Sequence, residues 1–186
     1  LGMTNFERKS IDEFNDISSI DQYYRSIQEG LSEEEALKVI NLRSRDNSRT
    51  PFPWNSSEYG GFSKVKPWLG MIENYKEINA EAQVGQDDSI YEFYKKMIDF
   101  RQNSIYSECL IYGNITAIDT ENDEVIAYTR KGGNETIYCY FNFSQNKVFE
   151  PLNIKSKKVI FNNLKEVDIS EDGIILKPNQ ALLITI

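Results

Sequence analysis

The hydrophobic pattern of this chain changes its period near residue 105, and no other feature limits the possible folds as strongly. Before that point, apolar residues recur three or four positions apart, which is typical of amphipathic helices. After it, apolar and polar residues alternate and β-branched and aromatic residues dominate, which is typical of strands. The 186-residue chain is long enough to bury a core. We therefore predict an α+β chain with two domains, 1–104 and 105–186.

The first domain is predicted to be helical, with long polar connections. The segment Ser32-Glu33-Glu34-Glu35 has the form of a capping box, with Ser at the N-cap and Glu three residues later. No strand is predicted here that could cover the apolar helix faces, so we expect further chain before Leu1. The predicted helices lie at 20–29, 32–47 and 89–102.

An aromatic connection between the last two of these helices runs over 50–88. It places Trp54, Phe62 and Trp68 among several Gly and Pro residues, and such a segment is not typical of disorder. We expect these three side chains to anchor the connection in a core. Stacking on sugar rings is the alternative, because aromatic faces suit the apolar faces of sugars.

The second domain is predicted to be an antiparallel β-sandwich. Two alternating segments flank Lys131-Gly132-Gly133-Asn134-Glu135, which indicates a hairpin. Many short strands at this spacing are typical of a sandwich. The predicted strands lie at 108–112, 115–119, 124–130, 136–143, 147–149, 158–161, 174–176 and 181–186.

Composition excludes several classes of function. The formal net charge of −8 argues against partners that need a basic surface, namely nucleic acid and anionic membranes. The chain has no histidine, which excludes a Ser-His-Asp triad and most transition-metal sites within it. We expect no metal and no cofactor, and a neutral polar substrate fits the charge better.

The location of the protein is predicted from its cysteines and its hydropathy. Cys109 and Cys139 stand in apolar contexts without a CxxC spacing, which is typical of buried free thiols in a reducing compartment. No window approaches 18 consecutive apolar residues, and the N-terminus lacks the pattern of an export signal. We therefore expect a cytoplasmic protein.

The tract 44–54 is the strongest candidate for a functional site. It places Arg45, Asp46 and Arg49 directly before Pro51, which ends the preceding helix. Arg suits bidentate hydrogen bonding, and Asp can hold such a guanidinium in place. A solvated helix end, whose charges only pair with one another, explains the same residues equally well.

Several motifs occur together in a fixed order across the first half of the chain. They are Leu1-Gly-Met-Thr-Asn5, Ser44-Arg-Asp-Asn-Ser-Arg-Thr-Pro51 with Trp54, Lys66-Pro67-Trp68-Leu69 and Asn74-Tyr75-Lys76-Glu77-Ile78-Asn79. Taken together they resemble the α-glucosidases of glycoside hydrolase family 13, in the branch of oligo-1,6-glucosidase, dextran glucosidase and trehalose-6-phosphate hydrolase. The resemblance covers almost the whole chain and is weaker over 108–186.

The resemblance implies a fold. Members of this family carry a (β/α)8 barrel with its active site at the carboxyl ends of the strands, followed by an all-β domain. Leu1 then lies just past the eighth strand, 1–88 forms an enlarged loop, and 89–102 forms the last barrel helix. The chain is therefore expected to be the helical and loop tail end of a barrel followed by the antiparallel sandwich.

The resemblance also implies a division of roles. These retaining enzymes use an Asp nucleophile and a Glu acid/base on earlier strands, so no catalytic residue is expected in this chain, and alone it should be inactive. Arg45 corresponds to a substrate-binding arginine at the sugar subsite, with Asp46 and Arg49 in supporting roles. The implied partners are an oligosaccharide, with α-1,6 linkages favoured, and the missing N-terminal barrel. The alternative is a non-catalytic module that binds glucan or a protein.

Overall fold

The computed structural model describes residues 1–152 and 158–185. It divides into two compact units, Leu1–Lys96 and Met97–Ile186. A single helix, Ile90–Asn103, runs through the division. The predicted domain boundary at 104/105 stays a prediction.

The first unit is helical, as the sequence pattern predicts. Ser32 Oγ accepts a hydrogen bond from the backbone N of Glu35 at 3.3 Å, and Glu35 Oε2 accepts one from the backbone N of Ser32 at 2.9 Å, so the capping box is formed. The structure confirms all three helices near their predicted positions. The helices are α1 Ile17–Gln28, α2 Glu33–Arg43, α3 Ala80–Gln83 and α4 Ile90–Asn103, with 3₁₀ turns at Ile11–Glu13, Arg45–Arg49 and Glu58–Gly61.

The predicted helix over 32–47 is wrong at its C-terminal end. The α-helix stops at Arg43, because Ser44 adopts an extended conformation with ψ of 137°. The Ser44 side chain then accepts a hydrogen bond from the backbone N of Asp46 at 3.2 Å and starts the separate 3₁₀ turn. Ser commonly makes such local bonds to the backbone, and these bonds compete with helix continuation.

The apolar core of the first unit is small. Its buried cluster consists of Phe14, Tyr23, Ala36 and Ile40, between α1, α2 and the segment before them. The expectation that Trp54, Phe62 and Trp68 anchor the aromatic connection is wrong, since they are 56%, 51% and 75% exposed. The connection is held instead by smaller side chains, among them the buried Leu69 and Ile72.

The second unit is a sandwich of two antiparallel sheets, as predicted. The strands are β1 Asn114–Ile118, β2 Val125–Gly132, β3 Glu135–Asn142, β4 Val148–Pro151, β5 Lys158–Asn162, β6 Asp168–Ile169, β7 Gly173–Leu176 and β8 Ala181–Thr185. The larger sheet has the order β1-β2-β3-β8-β5 and the smaller one the order β4-β7-β6. The predicted hairpin is confirmed as β2 and β3, with Gly133 in the left-handed region at φ 59°. Ile186, the last residue of the predicted final strand, lies outside the described residues.

Two apolar clusters hold this sandwich together. One lies between the two sheets and includes Ile174, Leu176 and Leu182. The other lies on the opposite face of the larger sheet, where Tyr106, Cys109 and Ile137 are buried and Phe100 packs against them. Both faces of the larger sheet therefore contribute to the core, which explains the long apolar stretches of its strands.

The strand predicted at 108–112 is wrong, because Ser107–Tyr112 forms a short helix, α5. Its carbonyl groups are satisfied by an arginine of β2: Arg130 donates from Nε to Cys109 O at 3.1 Å and from Nη2 to Gly113 O at 3.0 Å. A short apolar stretch cannot be assigned to helix or strand by its period alone, and here tertiary contacts decide. The two-residue strand β6 was not predicted. Within the described ranges, no helix combines the length and the hydropathy needed to cross a bilayer.

Candidate functional site

The candidate site is the 3₁₀ turn Arg45–Arg49, called the arginine turn below. Ser44 caps its start, and Ser48 Oγ donates to Arg45 O at 2.8 Å within it. Pro51 follows after Thr50 and cannot continue the helical hydrogen bonds. The structure thus brings Arg45, Asp46 and Arg49 together in one short turn.

Asp46 points inward and ties the turn to the segment before α1. It is fully buried, and its Oδ2 accepts hydrogen bonds from the backbone N of Asn15 at 2.7 Å and of Asp16 at 2.9 Å. Its Oδ1 accepts a bond from Arg49 Nη1 at 3.2 Å. Asp46 therefore joins two chain segments and also holds the side chain of Arg49.

Arg45 points outward, and residues of α1 and its N-cap hold it along one edge. Its Nε donates to Asp16 Oδ1 at 3.1 Å, and its Nη2 donates to Ser18 Oγ at 2.7 Å. Nη2 also lies 2.9 Å from Asp16 Oδ1, which completes an ion pair. The Arg45 side chain is 62% exposed, whereas that of Asp16 is 5% exposed. In the described part of the chain, no hydrogen bond or ion pair engages Arg45 Nη1.

The charge on Asp16 is stabilised by its neighbours. Burial on its own would raise the pKa of this carboxyl group, but hydrogen bonds from Ser19 and Arg45 outweigh burial and hold the pKa below its ordinary value. Asp16 is therefore ionised at neutral pH. Arg45 is accordingly held by a charge-assisted contact, the stronger class of hydrogen bond.

A third arginine, Arg8, is buried behind the turn. Its Nη1 donates to Asn47 Oδ1 at 2.9 Å and to Phe6 O at 3.3 Å, and its guanidinium lies 4.9 Å from the centre of the Phe14 ring. Burial lowers the pKa of Arg8, and the charge of Asp46 opposes this effect. Its Nε and Nη2 have no hydrogen-bond partner among the described residues. Arg8 supports the turn from inside through Asn47.

The arrangement can bind and orient a polar ligand. Two guanidinium groups stand at the surface on buried carboxylates, with the Arg45 and Arg49 side chains 62% and 46% exposed. A guanidinium held on one edge can donate hydrogen bonds to hydroxyl or carboxylate oxygens from the other edge.

Sequence reasoning found the turn but missed Asp16, Ser18 and Arg8. These residues lie 27 or more positions before Arg45. Asp16 and Ser18 contact Arg45, and Arg8 contacts Asn47, only through the fold. One signal was available, because Asp16 stands one residue before α1, at the position where a helix-capping Asp is expected.

Comparison with known proteins gives matches along most of the chain. Residues 1–113 match the family model described as alpha amylase, catalytic domain, and residues 115–176 match the maltogenic amylase C-terminal domain. The probable oligo-1,6-glucosidase 3 of Bacillus subtilis is 35% identical over 97% of the chain. That match covers 33% of the relative, so the chain spans about a third of the relative's length.

Solved structures also match along the whole chain. The isomaltulose synthase of Protaminobacter rubrum matches with a TM-score of 0.86 and 37% identity over 100% of the chain and 34% of that protein. The trehalose-6-phosphate hydrolase of Bacillus licheniformis matches with a TM-score of 0.86 and 32% identity, with the same coverage.

Proposed function

Since this chain belongs to the α-amylase family, glycoside hydrolase family 13, we propose that it is the C-terminal part of an α-glucosidase. The enzyme would hydrolyse terminal α-glucosidic bonds of small oligosaccharides, with α-1,6 bonds favoured, by a retaining double displacement. The observation that carries the proposal is the match of residues 1–113 to the catalytic-domain model of the family. The similarity to an oligo-1,6-glucosidase along 97% of the chain supports the choice of linkage.

The nucleophile and the acid/base are assigned to the barrel strands that precede this segment in the family. The contribution of this chain is then positional. Arg45 would donate hydrogen bonds from its exposed Nη1 edge to sugar hydroxyls or to a catalytic carboxylate, which orients them for reaction. Asp46 and Arg49 would keep the arginine turn in place, through the buried contacts of Asp46 with Asn15 and Asp16.

Exposed apolar side chains of α4 support the proposal of a preceding barrel. None of the residues of α4 is buried, although Ile90, Tyr94 and Ile98 are apolar or aromatic and are 43%, 64% and 52% exposed. A soluble protein rarely leaves such a face in water. The proposed partner for this face is the N-terminal barrel of the full-length protein.

A non-catalytic module that binds glucan is the second candidate function. It is favoured by an open groove of about 430 Å³ whose lining includes Phe6, Tyr59 and Tyr75. The exposed rings of Trp54 and Trp68 favour it as well, since aromatic faces can stack on sugars.

Two measurements separate these functions. The full-length protein should hydrolyse p-nitrophenyl α-glucoside, and the isolated chain should show no turnover. A glycan array probed with the isolated chain should then show no binding to α-glucans. Measurable affinity of the isolated chain for α-glucans, with no hydrolysis by the full-length protein, would replace the enzyme proposal with the module.

A further inference from the structure

The geometry around Arg45 separates a held edge from a free edge of its guanidinium. Nε and Nη2 form the held edge, with donor-acceptor distances of 2.7 to 3.1 Å to Asp16 Oδ1 and Ser18 Oγ. Nη1 forms the free edge, for which the described residues supply no acceptor. A long side chain that is otherwise 62% exposed is thus fixed in one orientation.

Asp16 is held in place by contacts that do not involve Arg45. Its backbone N donates to Asp46 Oδ2 at 2.9 Å, and its Oδ2 accepts a bond from Ser19 Oγ at 2.7 Å. Both carboxylate oxygens are therefore used, Oδ2 by Ser19 and Oδ1 by Arg45. A carboxylate held at both its backbone and its side chain can define the position of the guanidinium bound to it.

The ordinary role of an Asp at this position does not explain these contacts. Asp16 is the N-cap residue of α1, where an Asp side chain usually accepts a hydrogen bond from the backbone N–H two or three residues later. The Asp16 side chain makes no such capping bond. Its carboxylate instead accepts hydrogen bonds from Ser19 Oγ and Arg45 Nε. The Asp16 side chain therefore holds Arg45 and does not cap the helix backbone.

We propose that Asp16 is a positioning residue for Arg45, with Ser18 as a second, weaker contact, and that together they present Nη1 to the substrate. This inference rests on the proposed function, in which Arg45 contacts the sugar. Because Arg45 is ordered on folding, little of its rotamer freedom remains to be lost when substrate binds. The arginine turn and the start of α1 then hold Arg45 Nη1 in place as a hydrogen-bond donor before substrate binds.

A double-mutant cycle in the full-length protein tests this inference, with hydrolysis of p-nitrophenyl α-glucoside as the readout. Asp16→Asn removes the charge that holds Arg45 and should lower kcat/KM by about tenfold. Ser18→Ala removes one hydrogen bond and should lower kcat/KM by about fivefold. Neither change should lower kcat/KM further when Arg45 is already Ala, since both act through Arg45.

Controls distinguish positioning from general damage. Asp21→Asn, on the exposed face of the same helix, should leave kcat/KM unchanged. If Asp16→Asn only weakens the fold, it should cost as much activity in the Arg45→Ala background as in the wild type, and that additivity would overturn the inference. A full effect of Arg45→Ala with no effect of Asp16→Asn would also overturn it. If Arg45→Ala itself has no effect, the proposed role of Arg45 fails, and this inference fails with it.

Discussion

The sandwich unit and the N-terminal unit are stabilised by different kinds of contact. The sandwich has two apolar clusters, one on each face of its larger sheet. The N-terminal unit has one small apolar cluster and buries nearly as many polar or charged side chains as apolar ones, among them Arg8, Asp16 and Asp46. The sandwich is thus stabilised mainly by burial of apolar area, and the N-terminal unit by a hydrogen-bonded network.

This difference indicates what each unit requires from the rest of the protein. A sheet with apolar cover on both faces can be stable alone. A polar network with exposed aromatic side chains beside it depends on a neighbour that excludes water and covers those side chains. We therefore expect the two units to respond very differently to isolation and to single substitutions.

Separation of the units is expected to have the largest effect. Isolated 97–186 should unfold in one cooperative transition, because both of its clusters lie within that segment. Isolated 1–96 should show no cooperative transition, or should self-associate through its exposed apolar side chains. Thermal scans with analytical ultracentrifugation would measure both. If isolated 1–96 is monomeric and unfolds cooperatively, the N-terminal unit does not depend on a neighbour.

Removal of the central carboxylate of the network should have the next largest effect. Asp46→Ala leaves the backbone N–H groups of Asn15 and Asp16 without their acceptor and Arg49 without its partner. We expect a loss of about 3 kcal/mol in local stability. Hydrogen exchange of these two amides in the whole chain should accelerate, while the amides of the sandwich keep their rates. Equal acceleration in both units would contradict the assignment of the network to the first unit.

Substitution of a buried carboxyl group in the sandwich should raise stability instead of lowering it. Glu150 is 2% exposed, and its Oε1 has no hydrogen-bond partner among the described residues. Burial raises its pKa above the ordinary 4.5, so its contribution favours folding below pH 4.5 and is lost as the pH rises through the raised pKa. Glu150→Gln should therefore stabilise the protein at pH 7 by about 1 to 2 kcal/mol and have little effect at pH 4.

Urea titrations at the two pH values would measure this pH dependence. Glu124→Gln, at an exposed position, serves as the matched control and should have no effect at either pH. An equal gain from Glu150→Gln at pH 4 and pH 7 would show that charge burial is not its cause.

The smallest effect is expected at the start of α2. Ser32→Ala removes the side chain that accepts from the backbone N of Glu35 and should cost about 1 kcal/mol of helix stability. Exchange of the Glu35 amide would report this loss. Ser56→Ala is a useful comparison, because Ser56 is exposed and caps no helix. Similar losses at both sites would contradict the capping assignment.

The parts of the fold that depend on local chemistry could be predicted from the sequence. The capping box at Ser32 and the hairpin around Gly133 follow from short motifs, and the structure has both. The stop at Ser44 also rests on a local serine hydrogen bond, but local bonds of this kind only compete with helix continuation, and the stop was missed. The helix at 107–112 could not be predicted, because arginine contacts from β2 decide it. Local propensity is overridden where tertiary contacts satisfy the backbone.

The candidate site also has residues that the sequence predicts and residues that only the structure shows. Arg45, Asp46 and Arg49 are adjacent in sequence and could be grouped from their residue types alone. Asp16 and Arg8 could not, since an isolated Asp or Arg in a charged chain carries no signal of what it will contact. Their roles follow from burial and from hydrogen bonds that span 39 and 29 residues of sequence.

We propose above that Arg45 contacts the substrate of an α-glucosidase. The most direct measurement is kcat/KM of the full-length protein for p-nitrophenyl α-glucoside before and after Arg45→Ala, with Arg25→Ala on the exposed face of α1 as the control. We predict a loss of about 100-fold for Arg45→Ala, the scale of a lost charged hydrogen-bond donor, and no loss for the control. A loss below about threefold for Arg45→Ala would show that Arg45 does not contact the sugar.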